Sequence, residues 1–161
     1  MSNYVTYGEL NEKNIKQLKL LNSAVLPARY SNQFYHNTLL DHDYHTNVAF
    51  YCKDVVVGAI SYRKERPTNR NDLGIYRCYI LTFSVLESYR REGIGSELLR
   101  KVLTYCREDE EIKEVYLHVQ VSNDLAIEFY KKFGFQITET VKDYYKNIDV
   151  KDAYKLTRTL K

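Results

Sequence analysis

Tyr79-Ile80-Leu81-Thr82-Phe83-Ser84-Val85 leads into Arg90-Arg91-Glu92-Gly93-Ile94-Gly95. A helical stripe of Leu98, Leu99, Val102, Leu103 and Cys106 follows. The order is strand formers, a tight Arg/Gly turn, then an amphipathic helix. Glycines let a backbone turn sharply and approach a ligand closely. The unpaired amides and the dipole at a helix start favour an anion such as pyrophosphate. The Gly-Lys-Ser/Thr ending of a nucleotide P-loop is absent, and so is the dinucleotide G-x-G-x-x-G. On spacing alone, an ordinary turn ahead of a helix serves equally well.

Downstream, Val115-Tyr-Leu-His-Val-Gln-Val-Ser-Asn123 runs into Ala126-Ile-Glu-Phe-Tyr-Lys-Lys-Phe-Gly-Phe135. The first reads as a strand. The second reads as a helix over Asp124 to Phe133, stopped by Gly134. Upstream, Val5 to Glu9 reads as a strand. Asn11 to Ala24 reads as a helix capped by Asn11 and broken by Pro27. Ser31 starts a second helix through Leu40. Val48 to Cys52 and Val55 to Arg66 read as a hairpin around Lys53-Asp54. Pro67 to Gly74 is polar and turn-rich, the segment expected to be a mobile loop. Ile75 to Val85 and Glu114 to Val121 read as strands, the first of them central. The helix after the Arg/Gly turn should end near Asp109. Gln136 to Tyr145 and Tyr154 to Leu160 complete the set. The expected order is β, α, α, β, β, β, α, β, α, β, β.

The composition agrees with one globular domain over 1–161. Of 161 residues, 44% are hydrophobic and 28% charged, so a core can form. A net charge of +3 is too small to argue for nucleic acid but suits an anionic co-substrate. Cys52, Cys78 and Cys106 make no C-x-x-C pair and sit near no histidine in ligand spacing, so packing cysteines and no metal are expected. With no long apolar run and no apolar signal core, the expectation is a cytoplasmic or nuclear protein without a membrane partner.

Arg90-x-x-Gly93-x-Gly95 resembles the pyrophosphate signature of the GNAT acyltransferases, and Asn123…Ala126-x-x-Phe129-Tyr130-x-x-x-Gly134-Phe135 resembles the second half of that fold. Within the family, several further stretches occur in order: Ile15-Lys-Gln-Leu18, Leu26-Pro-Ala-Arg-Tyr30, Tyr79-Ile-Leu-Thr82, Tyr116-Leu-His-Val-Gln120 and Tyr144-Tyr-Lys146. They are similar to the catalytic subunits of NatE-type N-terminal acetyltransferases, from about Asn14 to Leu160. The resemblance implies an α/β GNAT fold: a mixed, mostly antiparallel central sheet with a V-shaped splay, flanked by about four helices. It implies acetyl-CoA as co-substrate and protein N-termini as acceptors, typically Met followed by a hydrophobic residue such as Leu. It also implies docking on NatA-type auxiliary and catalytic subunits at the ribosome.

The resemblance assigns roles residue by residue. Tyr79 and His118 become the catalytic pair, acting on the amine through ordered water. The cofactor-binding set becomes Phe83, Ser84, Val85, Arg90, Arg91, Glu92, Gly93, Ile94, Gly95, Ser96, Asn123, Ala126, Phe129 and Tyr130. Phe83 and Val85 would offer backbone groups, and Tyr130 would donate a proton near the sulfur. The peptide wall becomes Leu26, Pro27, Ala28, Tyr30, Leu81, Tyr144 and Tyr145. Without the resemblance, a lone strand histidine is more often structural and a strand tyrosine more often core. Leu26, Ala28 and Leu81 depart from the family's Phe, Val and Met, which should reshape the methionine pocket.

The pair suits an α-amine. An α-amine with a pKa of about 7.7–8.0 is roughly one-tenth neutral at pH 7, so a histidine near 6.5 suffices as base. Lysine, near 10.4, is neutral to less than about one part in a thousand. Two alternatives stay open: a GNAT enzyme acting on lysine or a small amine, and a weakly active subunit of a larger acetyltransferase complex.

Overall fold

Seven of the eleven residues of one strand, Val56 to Tyr62, are buried, as expected of a strand covered on both faces. It lies third in a seven-stranded sheet. In the computed structural model, which describes residues 4–68 and 74–160, the elements are β1 (Val5–Glu9), α1 (Ile15–Val25), α2 (Asn32–Leu40), β2 (Tyr44–Tyr51), β3 (Val55–Glu65), β4 (Tyr76–Val85), a 3₁₀ turn (Glu87–Tyr89), α3 (Ile94–Glu108), β5 (Ile112–Gln120), α4 (Asp124–Lys132), β6 (Gln136–Val141) and β7 (Ala153–Thr159). The sheet order is β1-β2-β3-β4-β5-β7-β6. The β4–β5 ladder is parallel; the β1–β2, β2–β3, β5–β7 and β6–β7 ladders are antiparallel. This is the expected fold class and element order.

The chain divides into two compact units. The first comprises Met1–Arg63 and Ile80–Glu108; the second comprises Lys64–Tyr79 and Asp109–Lys161. In the first, Leu18 and Leu21 of α1, Tyr35 of α2, Val48 of β2 and Val56 and Ala59 of β3 form one apolar cluster. Gly58 faces α3: a Cβ there would lie 3.3 Å from Ile94, Leu98 and the Ser84 carbonyl. Only the missing side chain lets α3 come this close. In the second unit, Ile112, Val115 and Leu117 of β5, Phe135, and Ala153 and Leu156 of β7 are buried.

Several boundaries differ from the sequence reading. Helix α1 starts at Ile15, with Asn14 at the N-cap position but making no side-chain cap bond. The capping bonds come from Asn11, as expected: its side chain accepts from the amides of Lys13 (2.8 Å) and Asn14 (3.2 Å), and its carbonyl accepts from the Ile15 amide at 3.1 Å. Strand β2 begins at Tyr44 because it pairs as far as Arg63 of β3. His45 is therefore a strand residue, stacked on Tyr62 with ring centroids 5.5 Å apart. Strand β6 stops at Val141, which puts Tyr144 and Tyr145 in a loop. That loop turns through left-handed backbone at Asp143 (φ 54°) and Asn147 (φ 62°), conformations that Asp and Asn tolerate. Cys52 is exposed in the β2–β3 turn rather than packed, whereas Cys78 and Cys106 are buried. The expected mobile loop over 67–74 falls largely on 69–73, outside the described residues.

Candidate active site

Strand β4 alternates. Cys78, Ile80, Thr82 and Ser84 are buried, while Tyr79, Leu81, Phe83 and Val85 are half-buried on the other side. Its ladder with β5 pairs Tyr79 with Tyr116, and β5 alternates in the same way, so Tyr79, Tyr116 and His118 share a face. The Tyr79 hydroxyl lies 3.0 Å from Nδ1 of His118 and 2.8 Å from the Tyr144 hydroxyl. The rings brace one another. Tyr79 stacks on Tyr116 at 4.7 Å, and Tyr144 stacks on His118 at 4.3 Å. Tyr145 meets Tyr144 edge-on at 4.9 Å. The loop carrying both tyrosines is pinned at its base, where the Asp143 amide donates to Asp152 and the Tyr145 amide to the Lys151 carbonyl.

Burial lowers the pKa of His118, the Lys155 charge lowers it further, and Glu139 and Glu65 act in the opposite sense. The imidazole is therefore neutral at pH 7 and holds a lone pair for a proton. Tyr130 behaves oppositely. It is 4% exposed, and burial, reinforced by Tyr145, raises its pKa, so it keeps its proton. A buried protonated phenol is suited to donate rather than accept. Phe129 packs edge-on against Tyr130, and Tyr130 against Phe135. Asn123 caps α4, its side chain accepting from the Ala126 amide at 3.2 Å, so that oxygen and that N–H already serve the helix.

The residues expected to meet the pyrophosphate lie in the first unit. Arg91 (φ 67°) and Gly93 (φ 83°) turn the chain into α3. The Glu97 amide bonds the Gly93 carbonyl at 3.0 Å, the first bond of the helical ladder. The amides of Ile94, Gly95 and Ser96 precede it and stay outside that ladder. The Ile94 side chain is buried and anchors the helix start. Arg90 and Glu92 are exposed, and Nε of Arg90 donates to the Val85 carbonyl at 3.0 Å, tying the turn to the end of β4. The Ser84 side chain is unavailable to a ligand: its hydroxyl donates to buried Asn22 at 2.9 Å, leaving only backbone groups. In the same unit Leu26 is the C-cap of α1, and Pro27 and Ala28 follow it. Tyr30 packs on Phe34 at 4.8 Å, and Leu81 lies on β4 two residues beyond Tyr79.

Three residues near the pair carried no signal in the sequence reading. The i, i+2 spacing of Tyr116 to His118 puts the two on one face of β5. Its hydroxyl donates to Glu65. The Lys155 ammonium lies 4.8 Å from the Tyr116 ring centroid. Glu65 and Lys155 come from β3 and β7, and no local pattern links them to β5. Among the described residues, no group of three or more His, Cys, Asp or Glu could hold a metal ion, and no helix is long and apolar enough to cross a membrane.

The model of the acetyltransferase (GNAT) family matches residues 15–135. The chain is 40% identical over 161 residues to N-alpha-acetyltransferase 50 of Danio rerio, covering 100% of this chain and 92% of that protein. It is 40% identical over 157 residues to the probable N-acetyltransferase san of Drosophila melanogaster, covering 98% and 82%. Among solved structures, Arabidopsis thaliana Naa50 in complex with the bisubstrate analogue CoA-Ac-MVNAL is 41% identical and superposes with a TM-score of 0.85, covering 98% of this chain and 99% of that one. The family model over residues 15–135 and relatives of this identity along the whole chain lead to one conclusion: this chain belongs to the GNAT acetyltransferase family.

Proposed function

We propose that the chain transfers an acetyl group from acetyl-CoA to the N-terminal α-amine of proteins that begin with Met followed by a hydrophobic residue such as Leu. The observation that carries this reading is the 3.0 Å contact between the Tyr79 hydroxyl and a His118 held neutral by burial. The names of the zebrafish and Drosophila relatives, and the CoA-peptide analogue bound to the Arabidopsis protein, support the same activity.

The chemistry asks little of the protein. The amine nitrogen bonds the acetyl carbon, the carbon–sulfur bond breaks, the amine gives up a proton, and the departing thiolate takes one. His118 accepts the amine proton, directly or through water, and Tyr79 holds the imidazole by its Nδ1. Tyr130, which retains its proton, is the donor to the thiolate. The amides ahead of Glu97, with Arg90 and Arg91, take the pyrophosphate. Phe83 and Val85 contribute backbone groups of β4 to the pantetheine arm, and Asn123 stands at the start of α4. Leu26, Pro27, Ala28, Tyr30 and Leu81 line the methionine side chain, while Tyr144 and Tyr145 hold the first peptide backbone groups. The NatE-type resemblance further supports docking on a larger ribosome-associated acetyltransferase in the cytoplasm. We read both units together as one GNAT domain, since the family match includes residues of each.

The test is acetyl-CoA turnover on peptides differing only in their first two residues, with an N-blocked lysine peptide included. Turnover on Met-Leu well above Ser-Glu and the blocked peptide is expected. Preference for the blocked lysine would assign the enzyme to side-chain amines instead. Binding of acetyl-CoA without turnover of any peptide would make it a subunit that needs a partner.

A further inference from the structure

We propose that Lys155 is a positioning residue of the amine site: its ammonium, one strand across from His118 on the same face, disfavours a second cation there and so selects the α-amine in its neutral form. The inference rests on the function proposed above and adds to it a residue that acts through charge without touching the reacting atoms.

The geometry is a row across three strands. His118 of β5 is the register partner of Lys155 of β7, and Lys155 is the register partner of Glu139 of β6. Register partners in antiparallel ladders project to the same side, with Cβ atoms roughly 5 Å apart. The Lys155 ammonium leans along the sheet to lie 4.8 Å from the Tyr116 ring centroid. Tyr116 in turn stacks on Tyr79 at 4.7 Å from the β4 side. Since β4 and β7 flank β5 on opposite edges, Tyr116 has the cation on one side and the Tyr79 ring on the other. The Tyr116 hydroxyl is held by Glu65, which fixes the ring that carries both contacts. An aromatic face thus favours the Lys155 ammonium beside the residue that stacks on Tyr79.

The charges around His118 can be taken element by element. Strand β4 presents Tyr79, β5 presents Tyr116, and the β6–β7 loop presents Tyr144, none of them a cation. Strand β7 presents Lys155, β6 presents Glu139, and β3 presents Glu65. Lys155 is the single cation in this set. After burial it is the largest influence on His118, and its sign disfavours the imidazolium. The same field acts on an ammonium brought to the Tyr79–His118 pair. A protonated α-amine meets repulsion there, and a neutral one does not. A substrate that must be neutral to react is thereby selected at the point of reaction.

The test is the titration of the His118 ring proton by NMR, together with the pH profile of kcat on a saturating Met-Leu peptide. Four proteins are compared: wild type, Lys155→Met, Lys155→Arg and Glu139→Gln. His118→Ala assigns the resonance, and thermal melts check folding. Removing a neighbouring cation favours the charged imidazole. Lys155→Met should therefore move the His118 titration upward, and the acidic limb of kcat with it, by about half to one pH unit. Lys155→Arg should leave both near the wild-type position, and Glu139→Gln should move both downward. An unmoved His118 titration in Lys155→Met overturns the proposal. So does a shifted titration with an unmoved kcat limb, because the charge would then not reach the amine. If the wild-type protein acetylates no peptide, the functional reading fails, and the NMR titration alone decides whether Lys155 controls His118.

Discussion

Tyr79 takes part in two hydroxyl contacts, to His118 and Tyr144, and in one ring stack on Tyr116. Tyr79→Phe removes the contacts and leaves the stack. It should lower kcat by roughly 10²-fold, the scale of a displaced general base, with acetyl-CoA affinity unchanged; steady-state kinetics and calorimetry separate the two. The proposed peptide wall makes a second residue-scale prediction. Leu26 and Ala28 are smaller than the residues the family pattern carries there. Leu26→Phe together with Ala28→Val should change the ratio of Met-Leu to Met-Ala turnover several-fold, since each buried methylene contributes about 0.8 kcal/mol. Both positions were legible in the sequence because each sits in a short motif. Lys155 was not, because its effect depends on a register between β5 and β7 that no local spacing encodes.

Helix α3 owes its close approach to β3 to Gly58. Gly58→Ala would bring a methyl to 3.3 Å from Ile94, Leu98 and the Ser84 carbonyl. Of these, the carbonyl is backbone and least able to move. The variant should lose about 1 kcal/mol of stability and bind acetyl-CoA more weakly, because the displaced end of α3 is the proposed pyrophosphate site. A thermal melt and a CoA titration measure the two effects. At α4, Asn123→Ala should cost about 1 kcal/mol through the lost cap. If Asn123 also binds the pantetheine arm, its KM for acetyl-CoA rises as well, which a purely structural cap would not cause. The start of α4 was readable from Asn123-Asp124, as its end was from Gly134. The Asn11 cap was readable too, whereas the first regular turn was not: α1 begins at Ile15, and the amide group of Asn14 just ahead of it reaches the Glu9 carbonyl at 3.2 Å. Strand β6 read four residues too long because Tyr144 and Tyr145 look like strand residues, whereas Asp143 and Asn147 take up the left-handed backbone of a loop.

At the scale of the whole molecule, the shifted groups define a stability window. His45 and His118 have pKa values lowered mainly by burial. The unfolded chain therefore binds protons more readily at these sites. Stability should be fully present above about pH 6.5 and fall as pH drops through the lowered values. Tyr7 and Tyr130 have pKa values raised mainly by burial. Their contribution is present below about pH 10 and is lost as pH rises beyond it. Chemical denaturation across this range should give a plateau with both shoulders, and His118→Ala should soften the acidic one.

The strand-turn-helix from Tyr79 to Cys106, the order of elements, and the family were determined by the sequence itself. Each is written in contiguous residues whose spacing maps directly onto backbone geometry: period two for β4, period 3.6 for α3, and a glycine, Gly93, in the left-handed turn between them. Tertiary structure decided the environment of the chemistry. Whether Tyr79 meets His118, why that imidazole stays neutral, and which cation stands beside it depend on Tyr79, Glu65, His118, Glu139, Tyr144 and Lys155 coming from different strands and a loop. Electrostatic fields and ring stacks act over a few ångströms of space regardless of separation along the chain, so these properties exist only once the sheet has set its registers.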